Sequence, residues 1–124
     1  MTLKRIALFA LLLSIGACTN RAERELTGKW QAFEILEEEA PLPLDPAQVR
    51  FEFLAGKGYT FHGTLNYKEA GVFRIHRGYL YTTDTLNHSK EKAVRIEQMR
   101  ADTLLLEMND QGKTRLLKLR RATW

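Results

Sequence analysis

Cys18 is the only cysteine in the 124-residue chain and the side chain with the most obvious chemical use. A nucleophilic thiolate normally has its pKa lowered by a neighbouring His or another cation in a folded site. Cys18 instead follows directly on a short apolar segment near the start of the chain. We therefore exclude a catalytic thiolate and consider a cysteine that carries a covalent modification.

The residues before Cys18 have the order of a secretory signal peptide. Lys4 and Arg5 supply the charge, residues 6–13 are apolar, and small residues follow. The apolar run is shorter than the roughly 20 residues that a helix needs to cross a membrane. The sequence therefore predicts export, with residues 1–17 as the signal peptide, residues 18–25 as a tether or a short helix, and residues 26–124 as one domain.

The tetrapeptide Ile15-Gly16-Ala17-Cys18 resembles the lipobox of bacterial lipoproteins. The resemblance implies that Cys18 is diacylated on sulfur, that the chain is cut before it, and that the new amine is acylated. Two or three acyl chains make attachment effectively permanent, because each buried methylene adds about 0.8 kcal/mol. The alternative is an ordinary signal peptide with an unrelated buried cysteine.

His62 and His76 are the best metal candidates, because both have the outward parity of neighbouring predicted strands. A hairpin pivoting near Lys68 would make them diagonal neighbours roughly 7–8 Å apart. Zinc needs three or four ligands, and no third one is evident, since Arg74 would lie between the histidines. We predict no metal site here and assign both side chains to a solvated face.

Two further clusters contain reactive residue types without suitable spacing. Asp84, His88 and Ser89 fall in one loop, whereas the members of a catalytic triad converge from separate elements. The acidic run of residues 37–39 lacks the spaced ligands and the glycine of a calcium loop. We therefore predict no catalytic residues, no cofactor and no enzymatic activity.

The formal charge of +4 falls to about +2 once Lys4 and Arg5 leave with the signal peptide. This balance excludes a nucleic-acid-binding module, which needs a clustered basic face. The one basic concentration is Lys113, Arg115, Lys118, Arg120 and Arg121. It fits either contact with anionic headgroups or an edge strand protected by charge from aggregation, and we favour the second.

The domain reads as all-β, because short apolar or alternating runs are separated by Gly, Asn and Asp. The first run is irregular, since Trp30, Phe33 and Ile35 do not share one parity, which indicates a bulge. A segment with three prolines, residues 40–46, follows it as a connection outside the sheet that covers one mouth of the fold. The eight predicted strands are residues 29–37, 49–54, 59–65, 71–76, 79–83, 93–99, 103–108 and 113–121.

Eight antiparallel strands with one apolar face are predicted to close into an up-and-down barrel, because closure removes the two exposed edges. Four stretches carry a family resemblance: residues 26–30, 53–59, 71–75 and 102–106. They resemble the small lipocalin-like lipoproteins of Bacteroidetes-type bacteria. The pair Gly28 and Trp30 is similar to the Gly-x-Trp signature of lipocalins, which implies that Trp30 packs at the base of the barrel.

The residues at inward positions predict what lines the interior of this barrel, and from that lining we infer a function. The predicted lining of a ligand pocket is Trp30, Phe51, Phe53, Tyr59, Phe61, Phe73 and Leu106. An eight-stranded barrel is just wide enough to be filled by side chains or to hold one small ligand. We therefore expect a monomeric binding module for a small apolar ligand or an envelope partner, or alternatively an interaction lipoprotein with a filled core. Thr19 after Cys18, where aspartate would resemble an inner-membrane retention signal, favours the outer membrane.

Overall fold

The structure is a computed structural model that describes residues 15–87 and 90–124, and side chains from residue 21 onward. Within this part, a helix α1 (Ile15–Leu26) precedes the strands, and a 3-10 helix (Pro46–Gln48) lies between the second and third of them. The strands are β1 (Gly28–Glu37), β2 (Ala40–Pro41), β3 (Arg50–Phe53), β4 (Gly58–His62), β5 (Lys68–His76), β6 (Tyr79–Asp84), β7 (Glu91–Met99), β8 (Thr103–Asp110) and β9 (Lys113–Arg121). The predicted signal segment lies largely outside the described residues. No helix among the described residues has the length and apolar character needed to span a membrane.

The eight longer strands form one closed antiparallel barrel. β1 pairs with β3, every later strand pairs with the next one along the chain, and β9 pairs back onto β1. This last pairing runs from Trp30 opposite Arg121 to Glu37 opposite Arg115, so β9 has a partner on each side. The predicted fold class is confirmed, and closure removes the edges that an open sheet would expose.

The predicted irregularity of the first strand is also confirmed. The register between β1 and β9 shifts between Ala32 and Glu34, which makes Phe33 the extra residue of a bulge. Trp30, Ala32 and Ile35 are buried, whereas Phe33 is exposed. The bulge thus lets Ala32 and Ile35 both face the interior, although they have opposite parity in the sequence.

The hairpin between β4 and β5 differs from its prediction. The strand predicted to reach residue 65 ends at His62, and β5 begins at Lys68, within residues assigned to a loop. Leu65 and Asn66 form the turn with φ of 56° and 61°, so Leu65 is 97% exposed instead of facing inward. The prediction was wrong because neither residue is a glycine, the usual sequence marker of this left-handed conformation.

The proline-rich segment was only partly predicted. Ala40–Pro41 pairs with the end of β1 through a turn in which Glu38 and Glu39 both have positive φ. Pro41 therefore does belong to the sheet, which a proline tolerates in a two-residue edge strand. The following residues cross the end of the barrel, where Leu42 packs on the core.

Residues 18–25, for which the sequence left either a tether or a short helix open, are helical and belong to α1. It ends at Leu26, whose side chain is fully buried. Thr27 N–H donates to Glu23 O at 3.0 Å and closes the last turn. Lys57, in the β3–β4 turn, lies 3.9 Å from the Glu23 carboxylate, so α1 lies against that end of the barrel.

Replacing Gly71 by alanine is expected to lower the free energy of unfolding by about 1–3 kcal/mol, a typical cost of overpacking. A Cβ at Gly71 would lie 1.9 Å from the backbone oxygen of Thr83, on the neighbouring strand β6. The Gly56→Ala variant is the matched control, because nothing lies within 4 Å of its added Cβ. Urea unfolding measures both free energies, and a Gly71→Ala variant as stable as Gly56→Ala would contradict the expected clash.

Candidate ligand site at the barrel mouth

The base of the barrel is sealed by Trp30 and Arg121. The indole N–H of Trp30 donates to Leu26 O at 2.8 Å, and the side chain is fully buried. The guanidinium of Arg121 lies 3.9 Å from the centre of the Trp30 ring and donates to Thr27 O and Glu25 O at 2.7 and 2.6 Å. This end therefore offers no entry to the interior along Trp30.

The residues predicted to line a pocket divide into two groups. Six of them belong to the buried core: Trp30, Phe51, Phe53, Tyr59, Phe73 and Leu106. Three of these side chains form ring contacts, with centroids 5.3 Å apart for Phe51 and Phe53 and 5.1 Å apart for Phe53 and Phe73. The seventh, Phe61, is only partly buried and reaches the opposite end of the barrel.

A cavity of about 220 Å³ lies at that opposite end, which we call the mouth. The mouth is formed by the ends of β1 and β8, the start of β9, the β4–β5 turn and the connection between β2 and β3. The cavity is lined by Ile35, Leu42, Leu44, Val49, Phe61, Gly63, Thr64, Tyr67, Met108, Arg115 and Leu117. Most of these side chains are apolar, as is typical of small-molecule sites.

Arg115 is the charged residue of the cavity wall. One terminal nitrogen of its guanidinium lies 3.2 Å from a Glu37 oxygen and 3.1 Å from an Asp110 oxygen. Its Nε is enclosed and is the only buried side-chain polar atom without a hydrogen-bond partner among the described residues. The two carboxylates balance the positive charge, so this wall does not favour an anionic guest.

A buried carboxylate, Glu69, organises the wall beside the cavity. It accepts hydrogen bonds from the hydroxyls of Tyr59 and Tyr67 at 3.0 and 2.6 Å, and from the Lys92 ammonium at 2.8 Å. Burial and the adjacent Glu69 charge raise the pKa of Tyr59, and the hydrogen bond to Glu69 raises the pKa of Lys92. Sequence reasoning missed Glu69 because it was assigned to a loop, although it has the same parity as inward-facing Phe73 on β5.

Asp84 provides the second buried carboxylate at this end. Burial opposes its charge, but hydrogen bonds from the Asn87 side chain and from the Leu86 and Asn87 backbone N–H groups lower its pKa below the ordinary 3.8. His88 and Ser89, which the sequence groups with Asp84, lie outside the described residues. The Asp84 carboxylate thus has a structural role in closing the start of this loop.

The pH dependence of stability is expected to contain a contribution from Asp84. Because its folded pKa is lowered, ionised Asp84 stabilises the fold above its unfolded pKa, and this stabilisation is lost as the pH falls through the folded pKa. Asp84→Asn is expected to be less stable than wild type at pH 7 and to lose less stability on acidification. Urea midpoints at pH 7 and below pH 4 measure this, with the exposed Asp102→Asn as control. Parallel pH curves for wild type and Asp84→Asn would contradict it.

The structure separates the two predicted histidines. His62 pairs with Lys68, at the mouth end of β5, whereas His76 is the last residue of β5 and pairs with Tyr79. The predicted diagonal contact was wrong because the hairpin turns at residues 63–67, earlier than assumed. Among the described residues no group of three His, Cys, Asp or Glu could hold a metal ion.

The basic strand β9 is not an edge, so the charge-protected edge predicted for it was wrong. Its inward positions hold Leu117 and Leu119, with Arg115 at the mouth and Arg121 at the base. The ion pair of Lys118 with Glu34 at 3.1 Å lies outside. These basic residues therefore serve the two ends and the outer surface of the barrel instead of one continuous basic face.

A closed eight-stranded antiparallel barrel with a sealed base and a cavity at the other end defines a lipocalin-like fold. A lipocalin-like protein from Bacteroides uniformis matches with a TM-score of 0.62 and 15% identity, over 79% of this chain and 99% of that one. An uncharacterized protein from Bacteroides eggerthii matches with a TM-score of 0.57 and 13% identity, over 78% and 99%. At these identities the likeness concerns the fold alone. No family model matches the chain, and no curated protein matches it.

Proposed function

We propose that this protein is an exported lipoprotein whose barrel binds one small apolar molecule at its mouth. The cavity of about 220 Å³ between the barrel and residues 42–49, which we call the covering segment, supports this proposal. An engineered cavity of roughly 150 Å³ lined by apolar side chains is known to bind benzene, so the mouth has room for a somewhat larger guest. We propose a binding role for the barrel and not a catalytic one.

The covering segment supports binding because it builds one wall of the cavity. Leu42 N–H donates to Ile35 O at 3.0 Å, which attaches the segment to the end of β1. Leu42 and Leu44 line the cavity together with Phe61 and Leu117. A guest there would exchange water contact for apolar side chains, which favours binding by about 25 cal/mol per Å² of apolar surface removed from water.

We further propose that Cys18 is the lipidated first residue of the mature chain, anchored to the outer membrane. Cys18 lies in α1, eight residues before Leu26 at the sealed base of the barrel, which corresponds to about 12 Å of helix. An anchor at this position would keep the base towards the membrane and the mouth away from it. A ligand would then enter from the side facing away from the lipid surface.

A second candidate is an interaction lipoprotein with a filled interior and no ligand. The packed rings of Phe51, Phe53 and Phe73 favour it, because they fill the barrel between the base and the mouth. Leu65 and Leu86, 97% and 60% exposed, offer apolar contacts to a partner at the mouth end. This candidate predicts no saturable binding of small apolar probes.

Titration of a fluorescent apolar probe into the purified protein distinguishes the two candidates. Leu44→Trp is expected to weaken probe binding about tenfold or more, because the larger side chain would occupy space in the cavity that the probe needs. Leu44 is 36% exposed, so the fold should accept the change. Leu86→Trp, outside the cavity lining, is the control and should bind as wild type does. Failure of wild type to saturate would overturn the ligand role.

A further inference from the structure

Three basic side chains occupy neighbouring positions on the outer face of the barrel near the mouth. Arg50 on β3 pairs with His62 on β4, and His62 pairs with Lys68 on β5. Residues directly opposite one another on adjacent strands have their Cα atoms about 4.5–5.5 Å apart. The three bases therefore form a row about 10 Å long with the imidazole in the middle.

This row borders a concave pocket of about 430 Å³. Its wall combines the three bases with Gln48, Gly63, Leu65, Asn66 and Tyr67. Residues of the β4–β5 turn form one side of the pocket. Long side chains from three strands can thus converge on one small ligand.

The bases of this pocket have no acidic partners within the described residues. None of the ion pairs there includes Arg50, His62 or Lys68, and the guanidinium of Arg50 lies over the Trp124 ring, 5.3 Å from its centre. The nearest carboxylate along β3 is Glu52, two residues from Arg50 on the same face. Arg50 and Lys68 therefore lie about 10 Å apart on either side of His62, and a small anion between them would interact favourably with both charges.

The pKa of His62 agrees with a pocket whose positive charges have no acidic partner. Desolvation, followed by the positive charges of Arg50 and Lys68, lowers the pKa of His62 below 6.5. A bound anion would oppose the effect of both bases and favour the protonated imidazole. A rise in the pKa of His62 would therefore report anion binding.

We propose that the pocket of Arg50, His62 and Lys68 binds a phosphate-type anion. Arg50 and Lys68 contribute fixed positive charges on either side, and His62 takes up a proton as the anion enters. The pocket is separate from the cavity at the mouth, but Gly63 and Tyr67 line both. The anion is thus either a free phosphate or the headgroup of an amphiphile whose apolar part reaches the mouth.

NMR titration with inorganic phosphate, at ionic strength matched with sodium chloride, tests this site. We expect a saturable change in the His62 ring signals and an upward shift of the pH midpoint of His62. The ring signals of His76, at the other end of β5, serve as the internal control. Equal responses of His62 and His76, or no saturation, would overturn the proposal.

A double variant provides the second test. Arg50→Gln with Lys68→Gln is expected to weaken phosphate binding about tenfold or more, because it removes both fixed positive charges that would contact the anion. Arg100→Gln with Lys113→Gln removes the same charge from exposed positions elsewhere and should bind phosphate as wild type does. Equal weakening in both double variants would show a general charge effect and overturn the site.

Two further ligands distinguish the sources of the anion. Glycerol 3-phosphate and dihexanoyl phosphatidate, used below its micelle concentration, carry related headgroups with and without apolar chains. Tighter binding of the phosphatidate that depends on Arg50 and Lys68 supports an amphiphile whose chains reach the mouth. Equal affinity of both supports a free phosphate, and binding of both that is insensitive to Arg50 and Lys68 overturns the proposal.

Discussion

Replacing Trp30 by alanine is expected to lower the free energy of unfolding by about 3–5 kcal/mol, the usual range for removing a buried aromatic side chain. Trp30 is fully buried, and its indole N–H is bonded to Leu26 O. The variant would also remove the ring beneath the Arg121 guanidinium and leave that cation against a void. Since domains of this size are stable by only about 5–15 kcal/mol, much of the stability would be lost.

Urea unfolding followed by circular dichroism measures this effect. Trp124→Ala is the matched control, because Trp124 is 43% exposed and should cost little. Trp30→Phe keeps most of the ring but leaves Leu26 O without its donor, so an intermediate loss is expected. An ordinary substitution costs about 1 kcal/mol, so a Trp30→Ala variant within about 1 kcal/mol of the control would contradict the assigned role of Trp30 at the base.

Replacing Cys18 by serine is expected to abolish lipid attachment completely, because serine lacks the sulfur that the lipobox resemblance requires. In a bacterial host with a lipoprotein pathway, wild type should incorporate labelled palmitate and begin at Cys18. The variant should carry no label and keep residues 1–17. Labelling with palmitate and intact mass measurement distinguish these outcomes.

Thr19→Ala is the control for this experiment, since it leaves the cysteine in place and should be labelled as wild type is. A second form, in which an ordinary cleavable secretory signal replaces residues 1–17 and Ser replaces Cys18, should be released from membranes in folded form. Label in the Cys18→Ser variant, or a mature wild-type chain that begins elsewhere, would contradict the proposed anchor.

The local sequence pattern was sufficient to predict much of the barrel wall. Alternation identified the inward positions of Phe51, Phe53 and Tyr59, all of which are buried. The broken alternation of the first strand indicated the bulge at Phe33. These features are predictable because neighbours along one strand point to opposite faces, whatever the rest of the chain does.

Strand register at the mouth was not predictable in the same way. The β4–β5 turn places non-glycine residues at positive φ, so it had no marker, and an error of a few residues there moved His76 away from His62. The same error assigned Glu69 to a loop, and it missed the pairing of Lys68 with His62. The row of Arg50, His62 and Lys68 exists only through the pairing of three strands.

The sequence by itself determined that the chain is an all-β barrel with Trp30 in its core, and it carries the motif from which lipidation of Cys18 is predicted. Only the tertiary structure decided which inward positions remain open to a ligand. The aromatic side chains predicted to line a pocket mostly pack against one another, whereas the cavity lies beyond them, under Leu42 and Leu44. The physical reason is that alternation reports which side chains face the interior, but only their packing in three dimensions determines where space is left.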